Sequence, residues 1–234
     1  MIQLKNVEFS YKKGNPVFSD LNMEIGEGRI CGLLGSNGAG KSTLLYLIMG
    51  LLRPKMGEAS VDGAVSHKRQ AEMLSNIFLV PEEFSLPGMA LNTYVGLLKP
   101  FYPNFSEELL TRCLADFGLT PDLNLGQLSM GQKKKVYICV ALAANTKYLL
   151  MDEPTNGLDI ASKSQFRKVV VTGMSDQKTI LISTHQVHDV EKLLDHVIIL
   201  DQSQVLYDAP LEEADDAPVD LEKLYIDVLN NKIS

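Results

Sequence analysis

The chain has 234 residues, of which 45% are hydrophobic and 22% charged, and its formal net charge is −7. This length suffices for one or two domains with a sizeable core, and the acidic balance argues against broad binding to nucleic acid, whose affinity comes largely from neutralised phosphates. The sequence has no apolar run of about 18 residues, so we expect no membrane-spanning segment. The few cysteines are far apart and lack metal-ligand spacing, as is typical of buried residues in a reducing cytoplasm: Cys31, Cys113 and Cys139.

The first segments predict an antiparallel hairpin. Residues 2–9 and 17–25 alternate apolar and polar side chains, and the stretch 12–16 turns between them. The N-terminal residues show no charged leader followed by an apolar block, so we expect residues 2–9 to form a strand and not a signal peptide. Tyr11 lies at the end of the hairpin, where it could either close a strand or stack on a nucleotide base.

A glycine-rich loop follows the apolar run 30–34 and leads into a helical pattern at 43–49. This context is typical of a phosphate-binding loop, in which backbone N–H groups and the positive end of a helix converge on an anion. Lys41 would reach the outer phosphates, and the Ser42 hydroxyl would bind Mg²⁺, which prefers oxygen ligands. The structural alternative is a glycine-rich turn without a ligand. We predict a nucleotide site formed by Gly35, Ser36, Asn37, Gly38, Ala39, Gly40, Lys41, Ser42 and Thr43.

The order of the later elements predicts an α/β fold. Apolar, strand-like runs are separated by helical stretches, which implies right-handed crossovers and a mainly parallel sheet. From about residue 87 to residue 145 the pattern is helical instead. We therefore predict a P-loop NTPase core with an N-terminal antiparallel β hairpin and an inserted α-helical subdomain. The predicted boundaries are 1–83 and 146–207 for the core, 84–145 for the helical subdomain and 208–234 for a C-terminal helical tail.

Polar residues follow the predicted strands at the sheet edge where ligands of parallel sheets bind. Asp152 and Glu153 come after the apolar run 148–151, and we assign Asp152 to Mg²⁺ and Glu153 to the general base. His185 follows the next strand and could contact the γ-phosphate or hold the attacking water. For the acids the alternative is a solvated turn, and for the histidine a structural role.

A second anion site is predicted before the helix that we place at Lys133 to Ala144. Ser129 is a plausible N-cap, and its hydroxyl lies at the positive end of the helix dipole. The three lysines 133–135 oppose that dipole, at a cost of about 0.3–1 kcal/mol each where exposed. A nearby anion would offset the cost, and a solvated basic turn is an equally open interpretation.

With these motifs assembled, the chain resembles the nucleotide-binding subunit of an ATP-binding cassette (ABC) transporter over essentially its whole length. The motifs are GSNGAGKST as Walker A, LSMGQ as the signature, YLLMDE as Walker B, TNGLD as the D-loop, and STH with the switch histidine, His185. The resemblance implies an ATPase that uses ATP and Mg²⁺ and works as a head-to-tail dimer. In such a dimer the signature residues Ser129, Gly131 and Gln132 of one subunit close over ATP held by the other. Tyr11 would then stack on adenine.

Two residues depart from the family pattern. Glu82 stands where the family usually has glutamine, and an ionised carboxylate can bind Mg²⁺ but cannot donate a hydrogen bond. It also adds negative charge beside the phosphates. Met130 stands where glycine is usual in the signature, and its bulk could loosen the dimer seal.

The resemblance also implies partners and a location. We expect a separate transmembrane permease subunit, docked near residues 84–105, and a second cassette, for which we favour another copy of this chain over a different cassette chain. The protein would then lie in the cytoplasm against the inner face of the membrane, without a nucleic-acid partner. The D-loop, Glu82 and the segment 101–105 (FYPNF) resemble exporter-type bacterial cassettes.

Two other functions can be stated from the same residues. The first is a slowly hydrolysing module whose ATP-gated dimerisation regulates a membrane partner without transport. The second is a soluble cassette that acts on ribosomes or DNA, which is disfavoured because the chain has one cassette, no heptad arm and an acidic balance.

Overall fold

The computed structural model describes residues 1–12, 14–211 and 220–231, and its strands form two sheets. The smaller sheet is antiparallel, in the order β2-β1-β4-β5. Its strands β1 (Ile2–Phe9) and β2 (Phe18–Ile25) form the predicted hairpin, although Lys13 of the predicted turn lies outside the described residues. The strand β4 (Met56–Val61) pairs with the other edge of β1, and β5 (Ala64–Val65) completes the sheet.

The larger sheet has six strands in the order β10-β9-β3-β8-β7-β6. Its pairs are parallel except for β9 with β10, which confirms the predicted mainly parallel sheet. Its three central strands are buried along their whole length, as expected for strands covered on both faces. The strands are β3 (Ile30–Leu34), β6 (Ile77–Val80), β7 (Tyr148–Asp152), β8 (Thr179–Thr184), β9 (His196–Asp201) and β10 (Gln204–Pro210).

Helices cover the larger sheet, and the apolar core lies in two layers. One layer fills the space between the two sheets around α1, and the other lies between the larger sheet and the helices that follow β6. The helices are α1 (Lys41–Ile48), α2 (Ala71–Ser75), α3 (Leu91–Leu98), α4 (Glu107–Asp116), α5 (Met130–Ala143), α6 (Ile160–Gly173), α7 (Val187–Val190) and α8 (Leu221–Asn231). The regular elements between β6 and β7 are helical, as expected for a helical subdomain inserted into the α/β core.

Two helices differ from the sequence-based expectation. Helix α5 begins at Met130 and not at Lys133, because Ser129 caps it in a capping box with Gln132. The sequence pattern from Val187 to Leu194 predicts a single helix, but the structure has the short α7 followed by a 3₁₀ turn at Glu191–Leu193.

The C-terminal part contains a strand that the sequence did not predict. Gln202 and Ser203 adopt positive φ angles of 43° and 67°, which reverse the chain so that β10 pairs back onto β9. This strand crosses the predicted boundary at residue 208. Helix α8 packs on the core through Leu221 and its partly buried apolar residues, while residues 212–219 and 232–234 of the predicted tail lie outside the described residues.

Within the described ranges, no helix is long and apolar enough to cross a membrane. The three cysteines are free and buried, as expected.

Candidate functional site

The glycine-rich loop lies between β3 and α1, and its shape depends on two glycines. Gly40 has a φ of 105° and precedes α1, and a Cβ there would lie 2.9 Å from the Phe18 ring. A Cβ on Gly35 would lie 2.3 Å from the backbone oxygen of Leu200. Lys41 donates from Nζ to the backbone oxygens of Gly35 at 2.7 Å and Ser36 at 3.2 Å. These bonds hold the loop curled around the lysine ammonium.

A cavity of about 440 Å³ opens at this loop and gathers residues that are distant in sequence. Most of the residues predicted for the site line it: Tyr11, Asn37, Gly38, Gly40, Lys41, Ser42, Thr43, Glu82, Glu153 and His185. Val17 and Asn156 also line the cavity, although the sequence did not single them out. The remaining predicted residues of the loop and of β7 do not line the cavity themselves: Gly35, Ser36, Ala39 and Asp152.

Glu153 is the most constrained acid of the cavity, with 4% of its surface exposed. Its Oε1 lies 3.4 Å from Lys41 Nζ and 2.9 Å from His185 Nδ1. Its Oε2 is buried and has no hydrogen-bond partner among the described residues. A buried acceptor of this kind is costly unless something else donates to it. One oxygen of the Glu153 carboxylate is therefore without a donor among the described residues.

The backbone of Glu153 is held from two sides. Its φ of 44° lies in the left-handed region, which non-glycine residues rarely adopt. Its N–H donates to the backbone oxygen of Ser183 at 3.0 Å, and its carbonyl accepts from Lys134 Nζ at 2.9 Å. Burial lowers the pKa of Lys134. The solvated basic turn considered for the lysines 133–135 does not hold for Lys134, which is buried against Glu153. The sequence pattern at the start of α5 did not indicate this burial.

Asp152 is buried at the end of β7, and its Oδ1 accepts a hydrogen bond from the Ser183 hydroxyl. Ser42 and Glu82 line the cavity with a hydroxyl and a carboxylate. The three side chains offer hard oxygen donors, which is the donor type that Mg²⁺ takes in phosphate sites. The oxygen atoms of these side chains are therefore suitable ligands for Mg²⁺, the metal ion expected beside a phosphate-binding loop.

Tyr11 is 62% exposed at the rim of the cavity. Its hydroxyl lies 3.1 Å from Thr43 Oγ1, and its ring stands edge-on to Phe9 with centroids 5.0 Å apart. The Phe9 contact and the hydroxyl bond fix the ring while most of its surface remains exposed.

The signature residues lie apart from the cavity. Ser129 Oγ accepts from the backbone N–H of Gln132 at 3.3 Å, and Gln132 Oε1 accepts from the N–H of Ser129 at 3.0 Å. A Cβ built on Gly131 would lie 3.6 Å from the backbone oxygen of Gly157, and Met130 is 64% exposed. Within one copy of the chain, Ser129, Gly131 and Gln132 do not line the cavity that holds the phosphate loop.

Comparison with known proteins agrees with this geometry. The ABC transporter family model matches residues 18–156. The ABC transporter ATP-binding protein NatA of Bacillus subtilis (strain 168) is 34% identical over 86% of this chain and 85% of its own length. The chelated iron transport system membrane protein YfeB of Yersinia pestis is 32% identical over 88% of this chain and 73% of its own length.

Among solved structures, a dimeric ATP-binding cassette in a post-hydrolysis state, bound to ADP and Pi, superposes with a TM-score of 0.77. It is 27% identical and covers 92% of this chain and 100% of its own. These relatives indicate the same family as the α/β fold with its phosphate loop and the cavity lined by Lys41 and Glu153. The chain belongs to the ABC transporter family, as an ATP-binding cassette with ATPase function.

Proposed function

We propose that this chain hydrolyses ATP with Glu153 as the general base, works as a head-to-tail pair of identical cassettes, and drives export through a separate membrane subunit. The observation that carries the proposal is the Glu153 carboxylate, with Oε1 between Lys41 and His185 and Oε2 buried without a described partner. Such a group can accept a hydrogen bond from an attacking water and take its proton.

The two side chains beside Glu153, Lys41 and His185, would divide their roles when ATP binds. Lys41 contacts Glu153 and two loop carbonyls, and a γ-phosphate would compete for its ammonium. His185 would remain on Oε1 and orient the carboxylate. Arrival of the substrate would thus remove the lysine ammonium from the base and leave the carboxylate to accept a proton from the water.

Ser42, Asp152 and Glu82 are the residues that we assign to Mg²⁺. When bound there, Mg²⁺ would neutralise the negative charge that develops during phosphoryl transfer. Ser42 and Glu82 line the cavity, and Asp152 is oriented by the Ser183 hydroxyl. Tyr11, at the rim, would stack on adenine, and the backbone N–H groups of the loop 35–43 would bind the phosphates.

The head-to-tail dimer is supported by the separation of the signature from the cavity. Ser129 and Gly131 stand at the N-terminus of α5, where a helix favours an anion, yet one copy places no phosphate loop against them. A second copy would bring its nucleotide to this helix end. The exposed Met130 side chain does not close that end within one copy.

An apolar groove of about 700 Å³ between α2 and the segment 98–103 is where we propose that the membrane subunit docks. Phe101, on this groove, is 69% exposed, as is common for residues that contact a partner. This would place the cassette against the inner face of the membrane.

Export is favoured by the exporter-like segments around Glu82, the D-loop and residues 101–105. In vesicles that carry the complex with its cassettes outside, ATP should drive substrate inward; ATP-driven loss of substrate from the vesicles would contradict export.

The role of Glu153 is tested by steady-state phosphate release. Glu153→Gln keeps the shape of the side chain but removes its basicity, so release should fall by about a hundredfold or more. ATP affinity should stay within about threefold of the wild-type value, because the phosphate loop is unchanged. Glu108→Gln, at an exposed position on α4, is the matched control and should retain full turnover. Turnover by Glu153→Gln near the wild-type rate would remove Glu153 from the base role.

A further inference from the structure

A chain of side-chain hydrogen bonds runs along one side of the cavity. Lys163 Nζ donates to Gln186 Oε1 at 2.7 Å, and Gln186 Nε2 donates to Asn156 Oδ1 at 3.1 Å. Asn156 Nδ2 then donates to Glu82 Oε1 at 2.9 Å. The four residues come from α6 and from the segments that follow β8, β7 and β6. The chain therefore ties three loops of the site to one helix.

The two ends of this chain fix its direction. A lysine ammonium can only donate hydrogen bonds, and an ionised carboxylate can only accept them. Lys163 therefore requires the oxygen of the Gln186 amide, and Glu82 requires the NH₂ group of Asn156. The orientation of both amides follows from these charges, although amide oxygen and nitrogen are otherwise hard to distinguish.

Glu82 uses only one oxygen in this chain. Among the residues that the structure describes, its Oε2 has no hydrogen-bond partner, and Glu82 lines the cavity. A glutamate side chain has several rotatable bonds, so holding it by one oxygen reduces the entropy that is lost when the other binds a ligand. The bond from Asn156 thus prepares the carboxylate for a cation.

We propose that Asn156 is a positioning residue that orients Glu82 for Mg²⁺, and that Lys163 sets the polarity of the chain through Gln186. This rests on the proposed function, in which Glu82 binds the metal of ATP-Mg. A carboxylate at position 82 matches the polarity that Lys163 imposes. A glutamine there would have to offer its carbonyl to Asn156 and keep only its NH₂ group for the metal.

The test is to reverse the donor-to-acceptor direction of this chain of side-chain hydrogen bonds. Gln186→Glu still pairs with Lys163, but its carboxylate requires the NH₂ group of Asn156, which turns the Asn156 carbonyl toward Glu82. Mn²⁺, used in place of Mg²⁺ and followed by electron paramagnetic resonance with a saturating non-hydrolysable ATP analogue, should bind about tenfold more weakly. Affinity for the analogue in EDTA should change by less than about twofold, because the phosphate loop is untouched.

The decisive variant combines Gln186→Glu with Glu82→Gln. In the reversed chain an amide at position 82 can donate to the Asn156 carbonyl and keep its own carbonyl for the metal. Each single substitution should weaken Mn²⁺ binding, and the double variant should bind more tightly than either single variant. Additive losses are the expectation for two independent sites and would overturn the proposal.

Gln177→Glu is the matched control, because it adds the same charge at an exposed position before β8, at the opposite end of the sheet. It should leave Mn²⁺ affinity unchanged. If it weakens Mn²⁺ binding as much as Gln186→Glu does, the added negative charge and not the reversed hydrogen-bond chain causes the loss of affinity. If the wild-type protein binds no Mn²⁺ with the analogue, both the proposed function and the proposed role of the hydrogen-bond chain are overturned. If the wild-type protein binds Mn²⁺ and the losses are additive, only the proposed role of the hydrogen-bond chain is overturned.

Discussion

At the scale of single residues, the side chains that we propose to bind a nucleotide differ from those that hold other residues of the site in place. Lys134 and Asn156 belong to the second kind. Lys134 satisfies the carbonyl of Glu153 in a turn with positive φ, and Asn156 donates to Glu82. Lys134 joins helix α5 to the loop after β7, and Asn156 joins that loop to the one after β6, so the importance of both comes from the assembled fold.

Tyr11 offers a test at this scale, because its ring and its hydroxyl have separable contacts. Tyr11→Ala should weaken ATP binding by about 1–3 kcal/mol, the usual worth of stacking a base on an aromatic ring. Tyr11→Phe loses only the bond to Thr43 Oγ1 and should bind almost as wild type. Titration with a fluorescent ATP analogue measures both. If Tyr11→Phe binds as weakly as Tyr11→Ala, the hydroxyl and not the ring carries the interaction.

At the scale of elements, one buried lysine joins the ends of two helices. Lys178 is 3% exposed, and its Nζ donates to the backbone oxygens of Leu142 in α5 and Gly173 in α6. The last carbonyls of a helix lack intrahelical partners, so this lysine satisfies groups in both helices. Burial lowers its pKa to about 8 from the ordinary value of 10.5.

This lysine predicts a specific dependence of stability on pH. Between pH 8 and 10.5 the unfolded chain holds the proton that the folded chain has lost, so the free energy of unfolding rises with pH. Relative to Lys178→Met, the wild-type protein should gain roughly 2 kcal/mol between pH 7.5 and pH 10. Urea unfolding at several pH values measures this difference. Lys192→Met, at an exposed lysine, should show no such slope, and a flat difference for Lys178→Met would refute the linkage.

Much of the fold follows from local signals, because buried strands show as apolar runs and the phosphate loop as glycines between a strand and a helix. The central strands and the hairpin were predicted for this reason. The strand β10 was not, since Gln204–Pro210 is mostly half-buried and pairs only with β9. The start of α5 was placed late because the capping box is formed by side chains within the signature itself.

The candidate site was predictable where a residue type has few other uses at a strand end, as for Glu153 and His185. The sequence could not indicate the Asn156 to Glu82 bond, which joins residues 74 positions apart. It also gave no means of choosing which of the lysines 133–135 is buried. Contacts of this kind depend on how loops meet at the sheet edge, and no local pattern encodes them.

At the scale of the whole molecule, the two groups of predicted ATP contacts lie on different surfaces of one copy. The cavity holds the phosphate loop with Glu153, while Ser129 and Gly131 stand outside it at the start of α5. A single copy therefore leaves its own signature unused. Two copies related head to tail would complete two sites, each built from the cavity of one copy and the signature of the other.

The most direct test of this account is the mass of Glu153→Gln in solution, measured by size-exclusion chromatography with light scattering, with and without Mg-ATP. Blocked hydrolysis should trap the closed state, so the mass should double only with Mg-ATP. Adding Gly131→Asp should keep the protein monomeric with ATP still bound, because its carboxylate would face the partner's phosphates. A Glu153→Gln protein that binds ATP and remains a monomer would contradict the head-to-tail pair of identical cassettes.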